Sequence, residues 1–304
     1  MNIIDGLVTA THTPMNEKGE LKLEVINEYY TFLKRNNIKG IFLNGSTSEG
    51  YHLTTNERKL SLEAWSDAIK DDDFKLFVFV GHLATREACD LAEHASSLQN
   101  VYGISATAPF YQKPATVDLL VDVCAEIASF TASKSFYYYH IPVLTNVNVP
   151  ITELLKKAEA RISNLKGVKY THNDLEEYLV ASSLSNGKFE MMAGIDEIAL
   201  ASRAFGARGY IGSTYNFMAP LYYRMFDRFD KGEFIEAKNL QLKAIEIIRI
   251  IASYGFISAC KFIMKEKGIN NGFVRLPSKQ ISESEKSELM AKLRKLDFDN
   301  IAST

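Results

Sequence analysis

Short apolar runs alternate along the chain with longer stretches in which apolar residues recur at helical spacing. The first run, Leu7-Val8-Thr9-Ala10, ends in Thr11-His12-Thr13-Pro14. The stripe Val25, Ile26, Tyr29, Phe32 and Leu33 after it predicts a helix over about 22–37. A second run, Gly40-Ile41-Phe42-Leu43, ends in Gly45-Ser46-Thr47, and Thr54 with Glu57 has the spacing of a capping box that opens the next helix. A third run over 76–80 ends at Gly81-His82, and Ala84, Ala88, Leu91, Ala92 and Ala95 mark the helix behind it. Further runs over 102–107, 135–139, 165–170, 190–193 and 209–213 each precede a plausible helix.

Eight strand–helix units in succession predict an α/β fold, a (β/α)8 TIM barrel. A doubly wound sheet is the rival, but it usually shows a glycine-rich phosphate turn after its first strand, and none is present here. Helical patterns continue near 235–253, 256–267 and 284–295, the last opened by a second capping box, Ser282 with Glu285. We expect a barrel over 1–232 and a C-terminal helical extension over 233–304, packed on it as one domain. No proline-rich or Gly/Ser-rich linker separates the two.

Composition narrows the function. The chain has 304 residues, with 35 Lys and Arg, 37 Asp and Glu, and a net charge of -2. That balance makes no electrostatic case for a nucleic acid or an anionic membrane as partner. The acidic run Asp71-Asp72-Asp73 reads as a solvated loop. The three cysteines, Cys89, Cys124 and Cys260, have no CxxC spacing and suggest neither a disulfide framework nor a zinc site. Met1-Asn2-Ile3-Ile4-Asp5-Gly6 has no basic leader, and no stretch approaches the roughly 18 apolar residues of a membrane span. The expectation is a soluble, cytoplasmic protein acting on a small molecule.

Active sites of such barrels form where the strands end. The polar residues there are Ser46, Thr47, Tyr111, Tyr139, Lys169, Thr171, Asp196, Glu197 and Ser213. No HExxH or other metal-ligand cluster stands among them, and Gly45-Ser46-Thr47-Ser48-Glu49-Gly50 lacks the ending of a phosphate loop. Lys169 ends an apolar strand. Inside the barrel mouth it would lose charge by desolvation and expose a nucleophilic amine; by position alone it reads more simply as a lysine reaching solvent. Tyr139 fits a core strand as well as a proton carrier. Tyr111 fits a loop anchor or an interface aromatic. Asp196 and Glu197 suit a helix start regardless of function, and Ser46 and Thr47 suit a turn as well as a carboxylate site. His12, His52, His82, His140 and His172 lie near strand ends without metal spacing, and no role is assigned to them.

Taken together, Gly45-Ser46-Thr47-Ser48-Glu49-Gly50, Tyr139-His140-Ile141-Pro142, Gly167-Val168-Lys169, Gly194-Ile195-Asp196-Glu197 and Gly212-Ser213-Thr214-Tyr215-Asn216 resemble the N-acetylneuraminate lyase and dihydrodipicolinate synthase superfamily. The resemblance runs in order from about residue 5 to 280. Synthases of that superfamily carry an arginine just after the proline of the tyrosine motif; Val143 and Leu144 stand here instead, as in the lyase branch.

The resemblance implies a class I aldolase of sialic acid catabolism that cleaves N-acetylneuraminate reversibly to N-acetylmannosamine and pyruvate, without metal or nucleotide cofactor. It implies an imine on Lys169, proton transfer by Tyr139, and Ser46 and Thr47 on the substrate carboxylate. Thr171, Gly194, Asp196, Glu197 and Ser213 would contact the sugar chain. Tyr111 would act in a neighbouring subunit's site within a homotetramer. Another 2-keto-3-deoxy sugar acid is the alternative substrate, and a silent sugar-acid-binding barrel is the remaining alternative. Two departures bear on the fit: Ser48 and Asn146 stand at positions usually held by glycine, and a left-handed backbone at 48 would strain a serine, whereas asparagine tolerates that conformation.

Overall fold

Eight parallel strands, each followed by helix, close on themselves in sequence order, with β8 pairing back to β1. The computed structural model describes residues 4–71, 73–131 and 134–304. Asp72 of the acidic run and the first three residues of the N-terminus fall outside them. The strands are β1 (Gly6–Ala10), β2 (Gly40–Leu43), β3 (Lys75–Phe79), β4 (Val101–Thr107), β5 (Ser135–His140), β6 (Leu165–Tyr170), β7 (Glu190–Ala193) and β8 (Gly209–Gly212). The helices are α1 (Ile26–Arg35), α2 (Thr55–Ala68), α3 (Thr85–Ser97), α4 (Val117–Ser129), the single turn α5 (Pro142–Thr145), α6 (Ile151–Glu159), α7 (Leu175–Ser182), α8 (Ala199–Ala204) and α9 (Tyr215–Asp230). Then follow α10 (Phe234–Ala252), α11 (Phe256–Glu266) and α12 (Glu283–Lys295).

Both faces of the sheet are buried, which is why its strands read as unbroken apolar runs. The period-two alternation nevertheless divides them. Leu7, Ile41, Leu76, Val78, Ile104, Phe136, Tyr138, Val168, Met191 and Tyr210 face the surrounding helices. Val8, Ala10, Phe42, Phe77, Phe79, Tyr137, Tyr139, Met192 and Ile211 fill the barrel itself. The inner core is aromatic, with rings meeting edge to face: Phe77 and Tyr137 at 5.1 Å, Phe42 and Tyr139 at 5.4 Å, Phe79 and Tyr139 at 5.9 Å.

Local signals explain the helix ends. Thr54 and Ser282 each accept the backbone N–H three residues on and complete the two capping boxes. The helix expected over 22–37 is shorter: a 3-10 turn, Leu23–Val25, precedes α1, and Asn37 turns left-handed at φ 61 after it. Asp196 and Glu197 open a 3-10 turn, Asp196–Ile198, and α8 starts only after it. α10 packs along α9 and meets that turn. Among the described residues no single helix is long and apolar enough to cross a membrane.

The barrel admits glycine alone where neighbouring strands draw closest. A Cβ on Gly167 would run into the backbone carbonyl of Glu190, its ladder partner on β7. Gly167→Ala should therefore destabilise the fold by about 2–3 kcal/mol, read as a lower urea midpoint at unchanged slope. An unchanged midpoint would contradict the close approach of β6 and β7.

Candidate active site

A cavity of about 770 Å³ opens at the C-terminal ends of the strands. Ser46, Thr47, Tyr139, Lys169, Thr171, Gly194, Asp196, Glu197 and Ser213 all line it. These nine come from the ends of β2, β5, β6, β7 and β8, brought together only by barrel closure. Tyr111 is the exception: it lies after β4, 84% exposed, outside that lining. Within a single chain it takes no part in the site.

Lys169 is 4% exposed. Its Nζ lies 3.7 Å from the centre of the Phe42 ring and 4.0 Å from that of Tyr139. Ring faces attract an ammonium, and the charge of Asp196 favours it too, but burial outweighs both. The amine is pushed down to about 7. Near neutrality a large fraction is therefore the free base, which is the nucleophilic form.

Tyr139 is the Cα partner of Lys169 across the β5–β6 ladder. Burial pushes its phenol up to about 12, against the opposing influence of the Ser46 and Thr171 hydroxyls. It is thus a neutral acid that can give a proton and take one back. After β7, Asp196 Oδ2 accepts the Thr214 backbone N–H at 2.9 Å and the Thr214 hydroxyl at 2.6 Å. The Tyr222 hydroxyl lies 3.0 Å behind Thr214 and extends the chain. Burial raises the Asp196 carboxyl above its ordinary value, and Thr214 and Lys169 work against that rise. Glu197 is raised in the same way, by burial first and then by the charge of Asp196. Gly194 is required by space: a Cβ there would overlap the Thr171 hydroxyl.

The loop carrying Ser46 and Thr47 is firmly held. The Ser48 hydroxyl donates to the Thr11 carbonyl at 2.6 Å, and the Thr13 hydroxyl donates to the Ser48 carbonyl at 2.7 Å. Its left-handed residues are Asn44 at φ 60 and Glu49 at φ 57, not Ser48, so the strain expected for a serine at 48 does not arise. Asn146 is left-handed, at φ 50, and caps α5. His12 and His140 are buried and held neutral, each lowered by burial to about 3.

Strand ends alone do not complete the cavity wall. Ile245, Ile248 and Arg249 of α10 and Phe256 and Ile257 of α11 also line it, as does Val143, 81% exposed, on α5. Nothing in their spacing distinguishes them from ordinary stripe residues. Phe42 sits under Lys169 because of its inward parity, which an all-apolar strand does not reveal. Among the described residues no group of three His, Cys, Asp or Glu side chains is placed to hold a metal ion.

The dihydrodipicolinate synthetase family matches residues 3–296 of the chain. The N-acetylneuraminate lyase of Homo sapiens is 36% identical over 97% of this chain and 93% of its own length. The solved structure of N-acetylneuraminate lyase from Proteus mirabilis superposes with a TM-score of 0.94 at 32% identity, covering 98% of this chain and 100% of that one. The sialic acid aldolase of Aliivibrio salmonicida gives a TM-score of 0.94 at 35% identity, with 98% of both chains covered.

The buried amine sets a measurable pH dependence. Below about 7 Lys169 is mostly protonated, and above it mostly free. Its labelling by a small amine-selective reagent, followed by peptide mass spectrometry, should rise with a midpoint near that value, whereas exposed lysines rise near about 10.4. A midpoint near 10 for Lys169 would show the amine to be solvated.

Proposed function

The chain belongs to the dihydrodipicolinate synthetase family, and on that footing we propose that it is a class I aldolase cleaving N-acetylneuraminate to N-acetylmannosamine and pyruvate. The observation that carries this reading is the Lys169 amine, enclosed by Phe42 and Tyr139 and lowered to about 7 in a cavity that hydroxyls and two carboxylates also line. The amine adds to the C2 ketone, and loss of water leaves an iminium on Lys169. The C4 hydroxyl then gives up its proton while the C3–C4 bond breaks. Its electron pair flows into the iminium, making an enamine in place of a free carbanion. Tyr139 carries the departing proton, with the substrate carboxylate as relay, and one is returned to C3. Water then cleaves the imine and frees pyruvate. The covalent imine fills the part that a metal or a nucleotide cofactor takes in other enzymes.

Ser46 and Thr47 supply hydroxyls for the substrate carboxylate, close to Tyr139. Thr171, Gly194, Asp196, Glu197 and Ser213 face the sugar chain. Polar groups that a bound substrate covers discriminate strongly against one that leaves them unpaired. Val143 and Leu144 place no cation where a second carboxylate would need one, which favours a sugar over a carboxylated aldehyde as partner of pyruvate. We further propose a cytoplasmic homotetramer in which Tyr111 reaches into a neighbour's cavity. Its exposure, with Leu83 at 57% on the loop after β3 and Leu144 at 59% on α5, supports self-association at that end of the barrel.

Borohydride with pyruvate should leave a stable adduct on Lys169, and Lys169→Met should abolish both the adduct and turnover. A wild-type chain without adduct overturns the Schiff-base reading. In a substrate panel, kcat/KM for N-acetylneuraminate should exceed that for other 2-keto-3-deoxy sugar acids; the reverse order would reassign the substrate. Light scattering should report four chains. Tyr111→Ala should lower turnover without affecting the monomer fold, and an active monomer would remove Tyr111 from the mechanism.

A further inference from the structure

Two polar side chains on the helices that follow the barrel reach down to the loops of the cavity. Gln241, on α10, is 7% exposed. Its amide N–H donates to the Asp196 carbonyl at 3.1 Å, and its amide oxygen accepts the Leu200 N–H at 2.9 Å. It thereby brackets the turn that presents Asp196 and Glu197. Lys261, on α11, is 1% exposed. Its Nζ lies 2.7 Å from Glu49 Oε1, with side-chain exposures of 0% and 2% across the pair, and it also donates to the Phe273 carbonyl. The other Glu49 oxygen accepts the Arg275 backbone N–H at 2.9 Å. Glu49 is left-handed and stands two residues after Thr47, so its carboxylate is the tether of the Ser46–Thr47 loop.

Neither contact touches the reacting atoms. A buried ion pair adds little net stability, because desolvation offsets its attraction, but removing one partner leaves an uncompensated charge. What such a pair contributes is geometry, since each oxygen of Glu49 is held by a different segment. The two anchors also divide the site. One holds the loop of hydroxyls after β2, and the other holds the turn of acids after β7.

We propose that Gln241 and the Glu49–Lys261 pair are positioning residues, each for one half of the substrate. Lys261 and Glu49 set the loop that takes the carboxylate of pyruvate, and Gln241 sets the turn that takes the sugar. This rests on the aldolase reading above. A site misplaced by a fraction of an ångström loses affinity for the group it was shaped around and leaves the other half untouched.

The test is the condensation reaction of the full-length enzyme, varying pyruvate and N-acetylmannosamine separately. Lys261→Met should raise KM for pyruvate about tenfold and change KM for N-acetylmannosamine by less than about twofold. Gln241→Met should do the reverse. If Lys261→Met does not fold, E49Q/K261M removes both charges together, and the same rise in KM for pyruvate is expected; Gln241→Asn, too short to span both partners, serves likewise for Gln241. A purely structural role would lower apparent kcat through the folded fraction and leave both KM values alone. That outcome, or equal rises in both values from either variant, overturns the inference. Borohydride trapping of the wild type separates the two failures. No adduct defeats the aldolase reading itself, whereas an adduct with unsplit KM values defeats the positioning roles alone.

Discussion

A lysine amine taken out of water tends to lose its charge, and much of the structure around Lys169 is tied to that burial. The head group sits between two ring faces in a barrel whose interior is filled by aromatic side chains. Only a closed sheet gives such an interior, because every strand must present one row of side chains to the axis. Burial depresses the amine, while the rings and Asp196 moderate the depression. Asp196 is itself buried and needs Thr214, and Thr214 meets Tyr222 behind it. Desolvating one residue thus organises a chain of polar partners that runs from the strand ends into the helical layer. The C-terminal helices close that side of the cavity and bring Gln241 and Lys261 to its loops.

Most of this architecture is legible in the sequence. β2, β6 and β7 span the same residues as their apolar runs, and the others differ by a residue at one end or at both. Turn and cap residues delimit the elements well: both capping boxes form. Apart from Tyr111, the polar residues at strand ends meet in one cavity because the barrel puts all such ends on one face. The first helix is less legible. Its apolar stripe persists through a 3-10 turn that has the same side-chain types but a tighter winding.

Other features are hidden for physical reasons. A strand buried on both sides carries no polar alternation, so Phe42 could not be assigned to the axis and Ile41 to the helices before the sheet closed. The wall from α10 and α11 depends on how those helices cross the barrel rim, which periodicity does not encode. In the 44–50 loop the left-handed backbone belongs to Asn44 and to Glu49, the latter one position beyond the serine. A tether there, made by a charge that appears solvent-bound in the sequence, is visible only once Lys261 comes beside it from more than two hundred residues away.

The pairing of Tyr139 with Lys169 is a ladder pairing: their Cα atoms are partners in adjacent strands. The spacing of amine and phenol is therefore written into backbone hydrogen bonds, and no loop can alter it. The remaining cavity lining belongs largely to turns and to the helices above them. The cavity is in this sense modular, with the amine and phenol on the rigid sheet and the rest of its wall in the rim. Loops at the rim can diverge while the spacing of these two strand residues stays the same.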